Sequence, residues 1–68
     1  MGWHSTGHRE ELLIGLAGRA IVEIARTPRE VQRVHLPANT SVWLATQTRH
    51  RVLNRTRAVA RYLYVTGR

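Results

Sequence analysis

Apolar and polar residues alternate with a period of two along most of this chain of 68 residues. Ala20, Val22 and Ile24, for example, fall on one face of an extended segment, with Glu23 on the other face. No window keeps apolar residues at three-and-four spacing for the ten or more positions that a helix needs. The pattern therefore predicts an all-β protein.

Turn residues divide this pattern into short strands. Gly18 ends the first apolar run, and we expect Glu11–Leu16 and Arg19–Arg26 to form a hairpin. Pro28 presets a turn angle and donates no backbone hydrogen bond, so the chain should reverse there. Further strands are expected at Val31–Leu36, Ser41–Leu44, His50–Asn54 and Ala58–Thr66. Short strands with a turn about every 8 to 12 residues predict a small antiparallel β-barrel or sandwich.

The chain is short and basic, with 11 Arg against 4 Glu and a net charge of +7. We expect one domain, residues 1–68, that buries only about 60% of its unfolded surface. The absence of Cys excludes disulfides, and the absence of Lys and Asp excludes a P-loop lysine and a Ser-His-Asp triad. No segment is apolar enough to cross a membrane or to act as a secretory signal, so we expect a cytoplasmic protein without a membrane partner.

Histidine and carboxylate side chains are grouped near the start of the chain. His4, His8 and Glu11 lie within eight residues, and His50 follows 39 residues later in another predicted strand. Imidazole and carboxylate together suit first-row divalent metals, and strands from two walls can bring them to one interior point. Spacing alone leaves open the alternative that these are surface histidines beside solvated glutamates.

The chain resembles the cupin superfamily over nearly its whole length. The first cupin motif reads His-x-His, three or four residues, Glu, six residues, Gly. His4, Glu11 and Gly18 reproduce this motif, with Thr6 at the place of the second His.

The second cupin motif ends in His, three residues, Asn, which His50 and Asn54 match. Its two glycines and its proline are replaced by Asn39, Gln47 and Ala45. The resemblance implies a cupin-type jelly roll truncated at the N-terminus, because the strands that usually precede the first motif are missing from this sequence.

The resemblance also implies a metal site. The cupin ligands correspond here to His4, Glu11 and His50, which would hold one divalent transition metal such as Zn, Cu, Ni, Fe or Mn. The expected function is metal binding with an open position for a small-molecule ligand or O₂, as in cupin oxygenases and isomerases. The alternative is a non-enzymatic small-ligand-binding or regulatory module.

Two positions of this ligand set have competitors. His8 is the predicted fourth ligand, because it has the same strand parity as the first histidine, whereas Thr6 or a water molecule is the alternative. Glu10 competes with Glu11, which we prefer because it alone keeps the six-residue spacing to Gly18.

Partners are predicted from the missing strands and from the aromatic residues. An unpaired sheet edge favours a homodimer. Trp3 and Trp43 are expected in the core or in a dimer interface. Tyr62 and Tyr64 share one face of the last strand, where they either line a pocket or close the sandwich. His35 is expected at the surface. Without an alternating aromatic and basic stretch, specific nucleic-acid binding is not expected despite the charge.

Overall fold

The computed structural model describes residues 2 to 67, and this part of the chain contains seven strands and no helix. The strands are β1 (His4–Ser5), β2 (Glu10–Ala17), β3 (Ala20–Thr27), β4 (Glu30–Leu36), β5 (Ser41–Leu44), β6 (Arg49–Asn54) and β7 (Arg61–Gly67). The predicted all-β class is confirmed. The largest difference in bounds is at the last strand, which begins at Arg61 and not at Ala58.

The strands form two antiparallel sheets in residues 2 to 67, not one closed barrel. The four-stranded sheet has the order β1-β6-β3-β4, and the three-stranded sheet has the order β5-β2-β7. The inward side chains of both sheets form one core. Its buried apolar members are Leu13, Ala20, Val22, Ile24, Leu36, Leu44 and Val52. Residues 2 to 67 contain no helix that could span a lipid bilayer.

The predicted hairpin between the first two long strands is wrong. β2 pairs with β5 and β7, whereas β3 pairs with β4 and β6, so the two strands lie in different sheets. Gly18, at φ +79°, lets the chain cross from one sheet to the other. The tight turn at Pro28 and Arg29 connects β3 to its antiparallel neighbour β4. β6 pairs with the other edge of β3. β2 and β3 therefore pack face to face, with Leu13 and Val22 in the shared core.

Close backbone packing fixes the loop that follows β4. A Cβ atom at Gly15 would lie 2.0 Å from the carbonyl oxygen of Pro37, so only glycine fits there. The backbone of Gly15 donates to the carbonyl of Thr40 (2.9 Å) and accepts from the N–H of Asn39 (3.0 Å). These bonds hold the loop against β2 and so set the position from which β5 begins.

One carboxylate is buried on the outer face of the four-stranded sheet. Glu23 is 1% exposed and lies directly opposite Arg33 on β4 and Arg51 on β6. The Nε atoms of both arginines donate to it, at 2.6 Å and 2.5 Å. The Arg51 hydrogen bond is the main cause that lowers the pKa of Glu23; burial opposes it and Arg33 adds to it. Trp3 covers Arg51, with 4.8 Å from the guanidinium carbon to the ring centroid.

Candidate functional site

A cavity of about 410 Å³ lies between the two sheets. The four-stranded sheet contributes His4, His50 and Val52, and the three-stranded sheet contributes Glu11 and a pair of tyrosines. Cavities of roughly 300 to 1,000 Å³ are the usual size for small-molecule sites. Three of the four predicted metal ligands therefore line one cavity of suitable size.

The period-two alternation of the strands explains why these side chains converge. Glu11 precedes the core residue Leu13 by two positions, and His50 precedes Val52 by two, so both point between the sheets. β1 then places His4 directly opposite His50 in the register of the four-stranded sheet. Local patterning and strand pairing together build this wall of the cavity.

His50 is fully buried, and one of its ring nitrogens is unsatisfied. Its Nδ1 lies 3.2 Å from the carbonyl oxygen of Thr48, whereas its Nε2 has no hydrogen-bond partner among the described residues. The nearest carboxylate oxygen, on Glu11, is 3.7 Å from Nε2, which is too long for a hydrogen bond. With its proton on Nδ1, the imidazole donates to Thr48 and leaves the Nε2 lone pair free for a ligand. Metal-binding histidines have this arrangement.

The distance between His50 and Glu11 also fits a shared metal ion. Nitrogen and oxygen ligands lie about 2.0 to 2.2 Å from zinc, so two tetrahedral ligands are roughly 3.4 Å apart. The observed 3.7 Å between Nε2 and Oε1 is close to that value. Small side-chain movements would therefore bring both atoms to ligand distance.

His4 completes the group from the edge strand. Its ring meets that of His50 edge to face, with centroids 4.3 Å apart and planes at 68°. As the side chains stand, residues 2 to 67 contain no group of three or more His or Glu residues arranged to hold a metal ion. His4 is exposed and lines the cavity at its edge, in contact with His50.

The competing candidates lie elsewhere. His8 is exposed in the turn between β1 and β2, and it does not line the cavity. Glu10 is exposed and has the opposite strand parity to Glu11, so it faces away from the core. Thr6 has a structural role: its hydroxyl donates to the carbonyl of Ala45 (2.7 Å) and accepts from the N–H of Thr48 (3.0 Å).

The remaining wall is formed by groups that the ligand pattern does not include. Tyr62 and Tyr64 both line the cavity. Of the two roles predicted for this pair, lining a pocket or closing the sandwich, the structure shows the first. Burial, followed by the charge of Glu11, raises the pKa of Tyr62, so its phenol is neutral at pH 7. The Thr48 carbonyl that orients His50 has no sequence signal, because any residue type carries a backbone carbonyl.

A larger cavity, about 600 Å³, opens beside the end of β6. It is lined by Asn54, Arg55, Ala60 and neighbouring residues, without any His or Glu side chain. The predicted residues His4, Glu11 and His50 line the smaller cavity, which is therefore the candidate site. No protein-family model, no curated protein and no solved structure matches this chain.

Proposed function

We propose that this protein is a small cupin-type metal-binding protein in which His50, Glu11 and His4 hold one divalent transition metal ion. The observation that carries the proposal is the buried, unsatisfied Nε2 of His50, which faces a carboxylate across the cavity. Leaving a buried nitrogen without a partner costs about 1 to 3 kcal/mol. A ligand that bonds to this nitrogen would remove that cost.

The number of strands is close to that of a jelly roll. A jelly roll has eight strands in two sheets, and this chain has a four-stranded and a three-stranded sheet in residues 2 to 67. That count is one strand fewer than a complete jelly roll.

Each residue of the cavity has a definable role in such a site. A bound metal would supply a Lewis acid with an open position for a small ligand or O₂. Glu11 would offset one of the two positive charges of the metal ion, and the Thr48 carbonyl fixes the tautomer of His50. Val52 forms an apolar wall, and the neutral phenol of Tyr62 is available to donate a hydrogen bond to a small ligand.

Metal titration of the untagged protein tests the proposal. We expect about one zinc, copper, nickel, iron or manganese ion per chain, with binding that weakens below about pH 6 because imidazole must be neutral to bind. His50→Ala should abolish binding. His35→Ala is the matched control, because His35 is exposed on β4 and should leave binding unchanged. Undiminished, stoichiometric binding by His50→Ala would refute the metal site.

The fourth ligand can be identified with the same titration. His8→Ala should reduce affinity only if the turn moves to bring His8 into the site. Retained affinity would assign that place to water, because the hydroxyl of Thr6 is occupied by Ala45 and Thr48.

The alternative function is non-enzymatic binding of a small ligand in the same cavity. It is favoured by the part of the lining that carries no metal ligand, namely Val52, Tyr62 and Tyr64. A screen of small acids and phenols by isothermal titration calorimetry, with a chelator present, separates the two functions. Binding that persists in the chelator supports the alternative, whereas oxygen uptake that requires added metal supports the enzyme.

A further inference from the structure

The outer face of the three-stranded sheet is apolar, although its inner face already covers the core. Residues with the opposite parity to Glu11 and Leu13 point outward from β2, and their neighbours on β5 and β7 extend the same surface. We call this surface the outer apolar face. Its members paired in register are Leu12, Ile14, Trp43, Leu63 and Val65. Leu16 extends it as an exposed residue at the irregularity between Gly15 and Ala17.

Much of this face is open to solvent. Trp43 is 59% exposed, Val65 56%, Leu63 52% and Leu16 47%. These four side chains present on the order of 400 Å² of apolar surface, which is within the range of the largest patch on a typical monomer, a patch that is often functional. If two copies pack through this face, each contributes its apolar surface and the residues at its rim. The total buried area then approaches the roughly 1,000 Å² that a specific interface needs.

The two ends of the face carry opposite charges. Glu10 lies at the start of β2 with the outward parity of Leu12, and Arg61 lies at the start of β7 with the outward parity of Leu63. Because β7 runs antiparallel to β2, Arg61 pairs with Ala17 at the far end of β2. An eight-residue strand separates the two charges by about 23 Å. Both side chains are exposed.

The position of three further arginines also favours contact between copies through this face. Arg33, Arg49 and Arg51 lie with Glu23 on the outer face of the opposite sheet. Two copies that meet through their outer apolar faces keep these groups on the far sides of the assembly. Contact through the outer apolar face would therefore avoid like-charge repulsion among these three arginines.

We propose that two copies of this chain form a homodimer by packing their outer apolar faces together, with the two-fold axis across the strands. This axis reverses the strand direction, so Glu10 of each copy faces Arg61 of the other. A two-fold interface must be self-complementary in this way. The contact therefore differs from the pairing of sheet edges that the sequence suggests.

Sedimentation equilibrium of the full chain at micromolar concentration tests the assembly. We expect twice the chain mass of 7.8 kDa. Leu63→Glu should give a monomer of unchanged far-UV circular dichroism. The matched control is Val59→Glu, because Val59 is 73% exposed but lies outside the strands, and it should remain dimeric. A monomeric parent, or a dimer that survives Leu63→Glu, overturns the proposal; the second result indicates edge pairing.

The orientation is tested by exchanging the terminal charges. Glu10→Arg and Arg61→Glu should each weaken the dimer by about 2- to 30-fold, because each removes two symmetry-related ion pairs. The double variant should restore the parental affinity. Additive weakening in the double variant overturns the two-fold arrangement. Metal uptake is a separate readout, because the cavity lies on the other side of this sheet and Leu63→Glu should bind metal normally.

Discussion

Two polar side chains are buried among residues 2 to 67, and their surroundings are opposite. Glu23 and His50 are 1% and 0% exposed, on the neighbouring strands β3 and β6. Both carboxylate oxygens of Glu23 accept hydrogen bonds from arginines, whereas the Nε2 of His50 has no partner within residues 2 to 67. One buried group is satisfied by the fold itself, and the other is left with free bonding capacity.

This difference suggests different reasons for burying the two side chains. Proteins satisfy nearly all their buried polar atoms, so an exception requires an explanation. Glu23 belongs to the layer of Trp3, Arg33 and Arg51 that covers the outer face of the four-stranded sheet. His50 faces a cavity large enough for a ligand. The stability of the fold should therefore depend on the first group, and ligand binding on the second.

The largest expected effect is from removal of an arginine that covers Glu23. Arg51→Met leaves a buried carboxylate with one donor, and breaking a buried pair is strongly destabilising. We expect a fall of at least several degrees in the melting temperature, measured by circular dichroism. Arg49→Met is the matched control, because Arg49 also lies over Trp3, at 5.9 Å, but does not contact the carboxylate. Equal effects of the two variants would contradict the structural role of Glu23.

Glu23 should also have a smaller effect on how the stability of the fold decreases at acidic pH. The Arg51 hydrogen bond lowers the pKa of Glu23 in the folded state from its ordinary value of 4.5. Its contribution to stability is therefore fully present above about pH 5 and is lost as the pH falls through the lowered pKa. Melting temperatures measured between pH 2 and 7 should fall less steeply below pH 4.5 in Glu23→Gln. An unchanged slope would show that other carboxylates control acid unfolding.

The smallest expected effect is on His50 and has the opposite sign. His50→Leu replaces an unsatisfied buried nitrogen by apolar atoms of similar volume. The Thr48 carbonyl stays satisfied, because it also accepts from the N–H of Thr6 at 3.0 Å. We expect urea unfolding to show a gain of about 1 kcal/mol, together with loss of metal binding. A loss of stability comparable to that of Arg51→Met would mean that His50 is a structural residue.

The strands were predictable because alternation is a local property of the sequence. Ser41–Leu44 agrees with its predicted bounds, and most other strands differ by one or two residues. The hairpin prediction failed because a short turn after Gly18 does not reveal whether the chain returns beside β2 or crosses to the other sheet. β3 pairs with β6 about 30 residues later, and only the packed molecule decides such long-range pairing.

The candidate site was predictable in part for the same reason. Parity and motif spacing placed Glu11, His4 and His50 at one cavity. They did not show that the hydroxyl of Thr6 is used by the loop, because its partners, Ala45 and Thr48, are 39 and 42 residues away.

The sequence by itself determined the all-β class, the face on which most strand residues lie and the residues available for metal binding, since these depend on residue type and period. Only the tertiary structure decided which nitrogen of His50 is left without a partner, why Glu23 is stable when buried, and that Leu63 and Trp43 share one exposed face. Each of these depends on the register between strands distant in the sequence. Register is selected by packing of the whole core, which no local pattern contains.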